Sequence, residues 1–414
     1  MGSYWWGLNA FVPDGGNDTI HGNGSTRLNY SAAMVGVRVN LAEGVADARL
    51  ESDKSTLGYY NMGRDTFSGV YAVIGSSLDD ELIGGGAGRT STGVPVEVFT
   101  GGAGADTING AGGVDVAAYD SSPTGIVVDL SLASGQVQDG WGFTDTLSSI
   151  ELVIGSQHAD SMKGGSADDT FEGNRGPDTI DGGAGLDDVM YFGDPAGVTV
   201  RLGGWVGATG SLPSGFQGSA LDAWGTIDVF KNIEGVEGSN FADQIFGDAG
   251  DNRLDGRGGN DTIDGGAGID WVEYNQAMRA VHVDLAQGKA FDDGQGIGEA
   301  PQGDAVEQDT LLNIENVLGG YGADTIIGSA GDNVLEGGAG NDTINGGGGI
   351  DLATYVGART DYNVVFANGM LTLTDNVAGR DGVDTVSQVE RFEFAGVFYG
   401  LNGLGQLVLE PVPT

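Results

Sequence analysis

The sequence predicts an all-β chain wound as a right-handed parallel β-roll or β-helix solenoid with a C-terminal β cap. Three observations predict it. A nine-residue unit recurs in one phase in four blocks, a longer unit carries each block, and the last long unit departs from the pattern. A solenoid of 414 residues can form one continuous body, because each turn packs only on its neighbours, so length alone is a poor guide to domain number here. Parallel crossovers are right-handed almost without exception, which sets the expected hand.

The short unit reads best from Gly238: GSNFADQIF, GDAGDNRLD, GRGGNDTID and GGAGIDWVE follow without a break. The same phase recurs from Gly155 and from Gly319, and a fourth block runs from Gly75 to Ala118 with an insertion near Arg89 to Val98. Two columns stand out. The sixth place holds Asp18, Asp80, Asp106, Asp115, Asp160, Asp169, Asp178, Asp187, Asp243, Asn252, Asp261, Asp270, Asp324, Asn333, Asp342 and Asp351. The eighth holds Ile20, Leu82, Ile108, Ala117, Met162, Phe171, Ile180, Val189, Ile245, Leu254, Ile263, Val272, Ile326, Leu335, Ile344 and Ala353. Strand alternation puts the eighth residue inside, between neighbours that face out. Two nonapeptides should complete one turn.

The long unit is marked by Tyr119, Tyr191, Tyr274 and Tyr355, with Tyr30 as an earlier member. A strand-like segment follows each Tyr (VGVRVNL, GIVVDL, GVTVRL, AVHVDL), then a loop of variable length, then a second marker: RDTFSGVYAVIGS, TDTLSSIELVIGS, IDVFKNIEGVEGS, QDTLLNIENVLGG. These signals divide the chain into an N-terminal remnant (1–30), four solenoid units (31–119, 120–191, 192–274, 275–355), a capping unit (356–400) and a tail (401–414). The capping unit keeps the strand (DYNVVF) and the marker (VDTVSQVERFEFAG) but no block follows it. An atypical terminal repeat is the expected form of a cap.

Gly-rich turns reach positive φ and bring carbonyls close to an ion, and the sixth-place Asp adds a hard carboxylate oxygen. Oxygen-only ligation from many carbonyls suits Ca²⁺ better than octahedral, water-retaining Mg²⁺. The charge agrees: 17 Lys plus Arg against 59 Asp plus Glu leave −42, which calls for bound cations. All sixteen sixth-place residues are therefore candidate calcium ligands, Asn252 and Asn333 the weakest, with roughly eight ions or more lying between adjacent turns. At dissociation constants of roughly 10⁻⁴ to 10⁻³ M, calcium at about 10 mM stabilises the fold by about 1.4 to 2.7 kcal/mol per site. The chain should be largely unfolded without it.

The same charge repels nucleic acid and anionic membrane surfaces. There is no Cys, hence no disulfide and no thiolate chemistry. No apolar run is long enough to span a membrane, and Met1 to Phe11 lacks the basic and apolar regions of a cleaved signal. Met1-Gly2-Ser3 is compatible with an added leader on a piece of something larger. No H-E-x-x-H, G-x-S-x-G or G-x-x-x-x-G-K-[ST] occurs, and His21, His158 and His282 read as structural or solvent-facing. No catalytic residue is assigned. The interrupting loops, with Tyr59, Tyr60, Trp141, Trp205, Phe216, Trp224 and an acidic stretch at Ala290 to Gln308, are where partner contacts would sit.

The nonapeptides fit G-G-x-G-x-D-x-U-x, with U large and apolar, and so resemble the RTX or haemolysin-type calcium-binding repeat family over nearly the whole chain. That resemblance implies a parallel β-roll that folds on calcium outside Gram-negative bacteria, exported by a type I system through an uncleaved C-terminal signal, for which Leu401 to Thr414 is the candidate region. The long Tyr-to-marker segments depart from a uniform roll and predict wider rungs between the calcium blocks. Three roles follow: a secreted adhesin, matrix or surface-layer component, whose partners would be surface or matrix polysaccharide or further copies of itself; the C-terminal calcium-binding region of a larger exported enzyme; or a free-standing polysaccharide lyase or epimerase.

Overall fold

The computed structural model describes residues 9–13, 15–24, 26–49, 63–86, 96–207, 209–291, 307–403 and 405–410. Tyr59, Tyr60, most of the insertion at 89–98, most of the acidic stretch at 290–308 and the last four residues lie outside these. Apart from a 3₁₀ turn at Arg359–Asp361, every regular element among the described residues is a strand. The chain divides into two compact units, residues 1–193 with 207–233, and residues 194–206 with 234–414.

Within each unit the nonapeptide strands alternate between two sheets. In the first, Ser161–Lys163 pairs in parallel with Thr179–Asp181, while the intervening Thr170–Glu172 pairs with Asp188–Met190 in the opposite sheet. In the second, Gln244–Phe246 pairs with Thr262–Asp264 and Arg253–Asp255 with Trp271–Glu273. Partners are thus eighteen residues apart, and two nonapeptides make one turn, as the repeat predicts. The eighth-place side chains fill the space between the sheets: Phe171, Val189, Ile245, Leu254, Ile263 and Ile344 have no exposed surface. Each such burial stabilises the fold by about 1.5 to 3 kcal/mol.

The wide rungs differ from the simple parallel expectation. After Tyr30, strand Val37–Asn40 pairs antiparallel with Val45–Ala48, which pairs antiparallel with the marker strand Arg64–Ser68. Only the outer edges of this meander are parallel to nonapeptide strands: Thr66 pairs with Thr19, and Arg38 with Glu81. The opposite sheet takes a single strand, Ala72–Ile74, between Thr26–Asn29 and Val96–Thr100. The short link from Asn40 to Val45 can only turn the strand back beside itself, whereas a parallel partner needs a crossover through the other sheet. The same meander recurs after Tyr119 and Tyr274.

The C-terminal unit repeats it once more through Tyr362–Ala367, Met370–Asp375 and Val383–Ser387. It then closes the other sheet with antiparallel strands Arg391–Phe394, Val397–Leu401 and Leu407–Leu409. Buried Phe394 anchors this cap, stacked on Tyr355 at 5.2 Å and tilted against Tyr362 at 5.1 Å.

Candidate metal centre

The sixth-place carboxylates form hydrogen-bonded ladders along the solenoid edges. The backbone N–H of each donates to Oδ1 of the residue one turn later: Asp80 to Asp106 at 2.8 Å, Asp160 to Asp178 at 2.7 Å, Asp243 to Asp261 at 2.7 Å and Asp324 to Asp342 at 2.8 Å. The other edge does the same from Asp169 to Asp187, Asn252 to Asp270 and Asn333 to Asp351. Every sixth-place residue from Asp80 onward is buried, and Asp18 is half-buried.

The loops bearing these residues fall into two kinds. In the closed kind the second residue of the loop satisfies the carboxylate itself. Ser76, Ser156 and Ser239 donate N–H and hydroxyl to Asp80, Asp160 and Asp243, and Gly320 and Gly165 donate N–H to Asp324 and Asp169. Meander strands add further donors, from Val37, Ile126, Val198 and Val281 to Asp80, Asp160, Asp243 and Asp324 at 2.7 to 2.8 Å. In the open kind the second and fourth residues take positive φ, as at Gly338 (80°) and Gly340 (147°), which turns that second N–H away from the carboxylate. Oδ2 of Asp106, Asp115, Asp178, Asp261, Asp270, Asp342 and Asp351 is then buried with no hydrogen-bond partner, as is Oδ2 of Asp18. A Cβ at Gly101, Gly173, Gly256 or Gly337, the first residue of such a loop, would run into that oxygen.

Asn252 and Asn333 sit in closed loops and use both ends of the amide. Oδ1 accepts from the second residue of the loop, Asp248 or Ser329, at 2.8 and 2.7 Å. Nδ2 donates to the carbonyl of Glu234 or Glu315, one turn earlier.

The electrostatics separate the two kinds on the edge that carries Asp80, Asp160, Asp243, Asp106, Asp178, Asp261 and Asp342, whereas on the other edge burial raises the open-loop Asp115 to about 7 and Asp270 and Asp351 only to about 6. Burial pushes the Asp106 and Asp261 carboxyls up to about 9 and Asp342 to about 8, and neighbouring carboxylates (Asp80 and Asp145, Asp309 and Asp243, Asp384 and Asp324) add repulsion. Asp178 moves in the same direction, through burial and the facing Asp228. Burial raises Asp80, Asp160 and Asp243 only to about 6, because donated hydrogen bonds stabilise their charge. An open loop thus places a buried carboxyl oxygen without a protein donor, beside a glycine, in a column of acidic groups that a bound cation would hold ionised. That donor set fits a hard divalent cation.

Sequence reasoning singled out the Tyr and the marker separately and missed that they meet. Asp65, Asp145, Asp228, Asp309 and Asp384 of the markers continue the ladder, accepting the N–H of Asp18, Asp106, Asp178, Asp261 and Asp342 on Oδ1 at 2.9 Å. The hydroxyls of Tyr30, Tyr119 and Tyr274 donate to Oδ2 of Asp65, Asp145 and Asp309 at 3.0 Å, and that of Tyr191 to Asp228 at 3.3 Å. On the other edge Glu151, Glu315 and Glu390, six residues after the marker Asp, accept the N–H of Asp115, Asp270 and Asp351. The Asp fixed in every marker, and the Glu that four of the five carry six residues later, were the available signal.

Among curated proteins none matches the chain. The RTX calcium-binding nonapeptide repeat matches it in four copies, over residues 97–117, 154–193, 237–272 and 318–353. These are the four blocks that carry the open loops, and the chain accordingly carries four copies of the RTX calcium-binding nonapeptide repeat on a β-roll solenoid fold.

Proposed function

We propose that the protein is an extracellular scaffold of a Gram-negative bacterium that leaves the cell unfolded by type I secretion and folds on meeting calcium, serving as an adhesin, matrix or surface-layer component. The ions bind at the open loops, through the Oδ2 atoms of Asp106, Asp115, Asp178, Asp261, Asp270, Asp342 and Asp351 together with loop carbonyls. Closed loops act as hydrogen-bonded floors beneath them. The carrying observation is the set of buried carboxylate oxygens that have no protein donor. Leaving such a group unsatisfied costs about 1 to 3 kcal/mol, more for a charge, and the penalty recurs in every block.

Calcium removes that penalty and neutralises part of the −42 charge. At sub-micromolar calcium the mass-action stabilisation vanishes for sites of roughly 10⁻⁴ to 10⁻³ M, so a chain of this kind stays extended inside a cell and folds outside. Circular dichroism during a calcium titration tests the proposal. A cooperative coil-to-β transition that magnesium does not reproduce is expected, and equal β content in excess chelator would overturn it.

A further inference from the structure

We propose that Asp139 binds a calcium ion through Oδ2, at a hairpin turn outside the nonapeptides; the proposal rests on the calcium reading above. Asp139 follows the strand Val137–Gln138 and opens the turn that leads to the marker Asp145. Its Oδ1 accepts the N–H of Trp141 at 3.1 Å and of Phe143 at 2.6 Å, and its own N–H donates to the Phe143 carbonyl at 3.1 Å. The residue is only 4% exposed, and Oδ2 is buried with no hydrogen-bond partner.

Among the described residues two other hairpins hold an Asp at the same place, defined by an N–H donated to the carbonyl two residues before the marker Asp: Asp222 to Thr226 and Asp375 to Gly382. Both complete that carboxylate. Asp222 accepts the N–H groups of Trp224 and Thr226 in the same way, and the Thr226 hydroxyl donates to its Oδ2. Asp375 takes a two-pronged pair from Arg380, Nε to Oδ2 and Nη2 to Oδ1, each at 2.7 Å. Phe143 stands where Thr226 stands, so the Asp139 turn offers no hydroxyl.

The surroundings of Asp139 are acidic. Tyr119 spends its hydroxyl proton on Asp145, and Asp139 lies near enough to both to add its repulsion to each. A proton on Oδ2 would itself need an acceptor when buried, whereas a cation fills the role that the Arg380 guanidinium fills at Asp375. Oδ2 is a carboxylate oxygen, which suits the same hard cation as the open loops.

Equilibrium dialysis of the full chain against radioactive calcium tests the site. Asn at position 139 keeps an Oδ1 to accept both N–H bonds, so Asp139→Asn should remain folded by circular dichroism and bind one ion fewer than the parent. Asp222→Asn should bind as many ions as the parent. Phe143→Thr, which supplies the missing hydroxyl and leaves Asp139 in place, should also lose one ion. An unchanged ion count in Asp139→Asn and Phe143→Thr, or an equal loss in Asp222→Asn, overturns this site alone. A parent chain that binds no calcium overturns the broader reading and this site with it.

Discussion

The Tyr119 hydroxyl donates to Oδ2 of Asp145 at 3.0 Å, and Oδ2 is the atom left without a partner in Asp106, one turn earlier on the same ladder. The phenol thus gives the marker carboxylate the partner that the proposed ion would give the open loop, and the column ends on a neutral donor. Tyr119→Phe removes that donor and strands a buried oxygen. It should lower stability in saturating calcium by about 1 to 3 kcal/mol without changing the number of ions bound. Denaturant unfolding and dialysis on the same sample check both halves, and an unchanged midpoint would contradict the pairing.

Open and closed loops should respond differently to the same substitution. Asp261→Asn removes the charge from an oxygen with no protein donor, and should reduce bound calcium by one. Asp243→Asn alters a carboxylate already held by Val198 and Ser239, and should keep the ion count while destabilising the fold. Isothermal titration of both variants distinguishes them, and equal losses would show that the closed loops also ligate.

Asn333 should resist conversion to the consensus acid. Its Nδ2 donates to the Glu315 carbonyl, so Asn333→Asp sets a carboxylate oxygen against a carbonyl oxygen. The variant should melt at lower temperature than the parent in calcium by about 1 to 3 kcal/mol of stability, with no additional ion bound. A rise in melting temperature would mean that the amide is dispensable.

Without calcium, acid should stabilise the protein. Burial raises Asp106 and Asp261 from 3.8 to about 9, so the folded chain retains protons that the unfolded chain gives up above about pH 4. Their contribution is complete in acid and is lost as pH rises through that window. In chelator, the residual β content measured by circular dichroism should therefore be higher at about pH 5.5 than at about pH 8. In calcium the dependence reverses at the sites, because protons compete with the ion and affinity should fall as pH falls. A residual β content in chelator that rises with pH would contradict the assigned burial.

The two columns were legible because each obeys a single chemistry in a fixed phase. Met162, Phe171, Ile180 and Val189 differ in shape but share the need for burial, and all lie between the sheets. The wide rungs were foreseen as strand, loop and marker, yet their antiparallel pairing was not, since the hairpin turns share no short sequence signature. Asp145 and Asp309 escaped notice as ladder members because their loops lack the glycines that flag the repeat. The distinction between open and closed loops is only partly written in the second and fourth letters: Ser156 and His158 differ from Gly338 and Gly340, but the closed loop of Asp324 carries Gly320 and Gly322. It became readable only with the Ser-to-Asp hydrogen bonds in view.

The meander between Val37 and Ser68 leaves and re-enters its sheet in step with the neighbouring turns, through Arg38 with Glu81 and Thr66 with Thr19. Residues added at its tips therefore shift nothing on either side, whereas one residue added to a nonapeptide would turn every inward side chain of that strand outward. A change in length is thereby tolerated in the hairpins. Repeat number can grow in whole turns and decoration can vary freely, while the register that lines up the carboxylates is inherited intact.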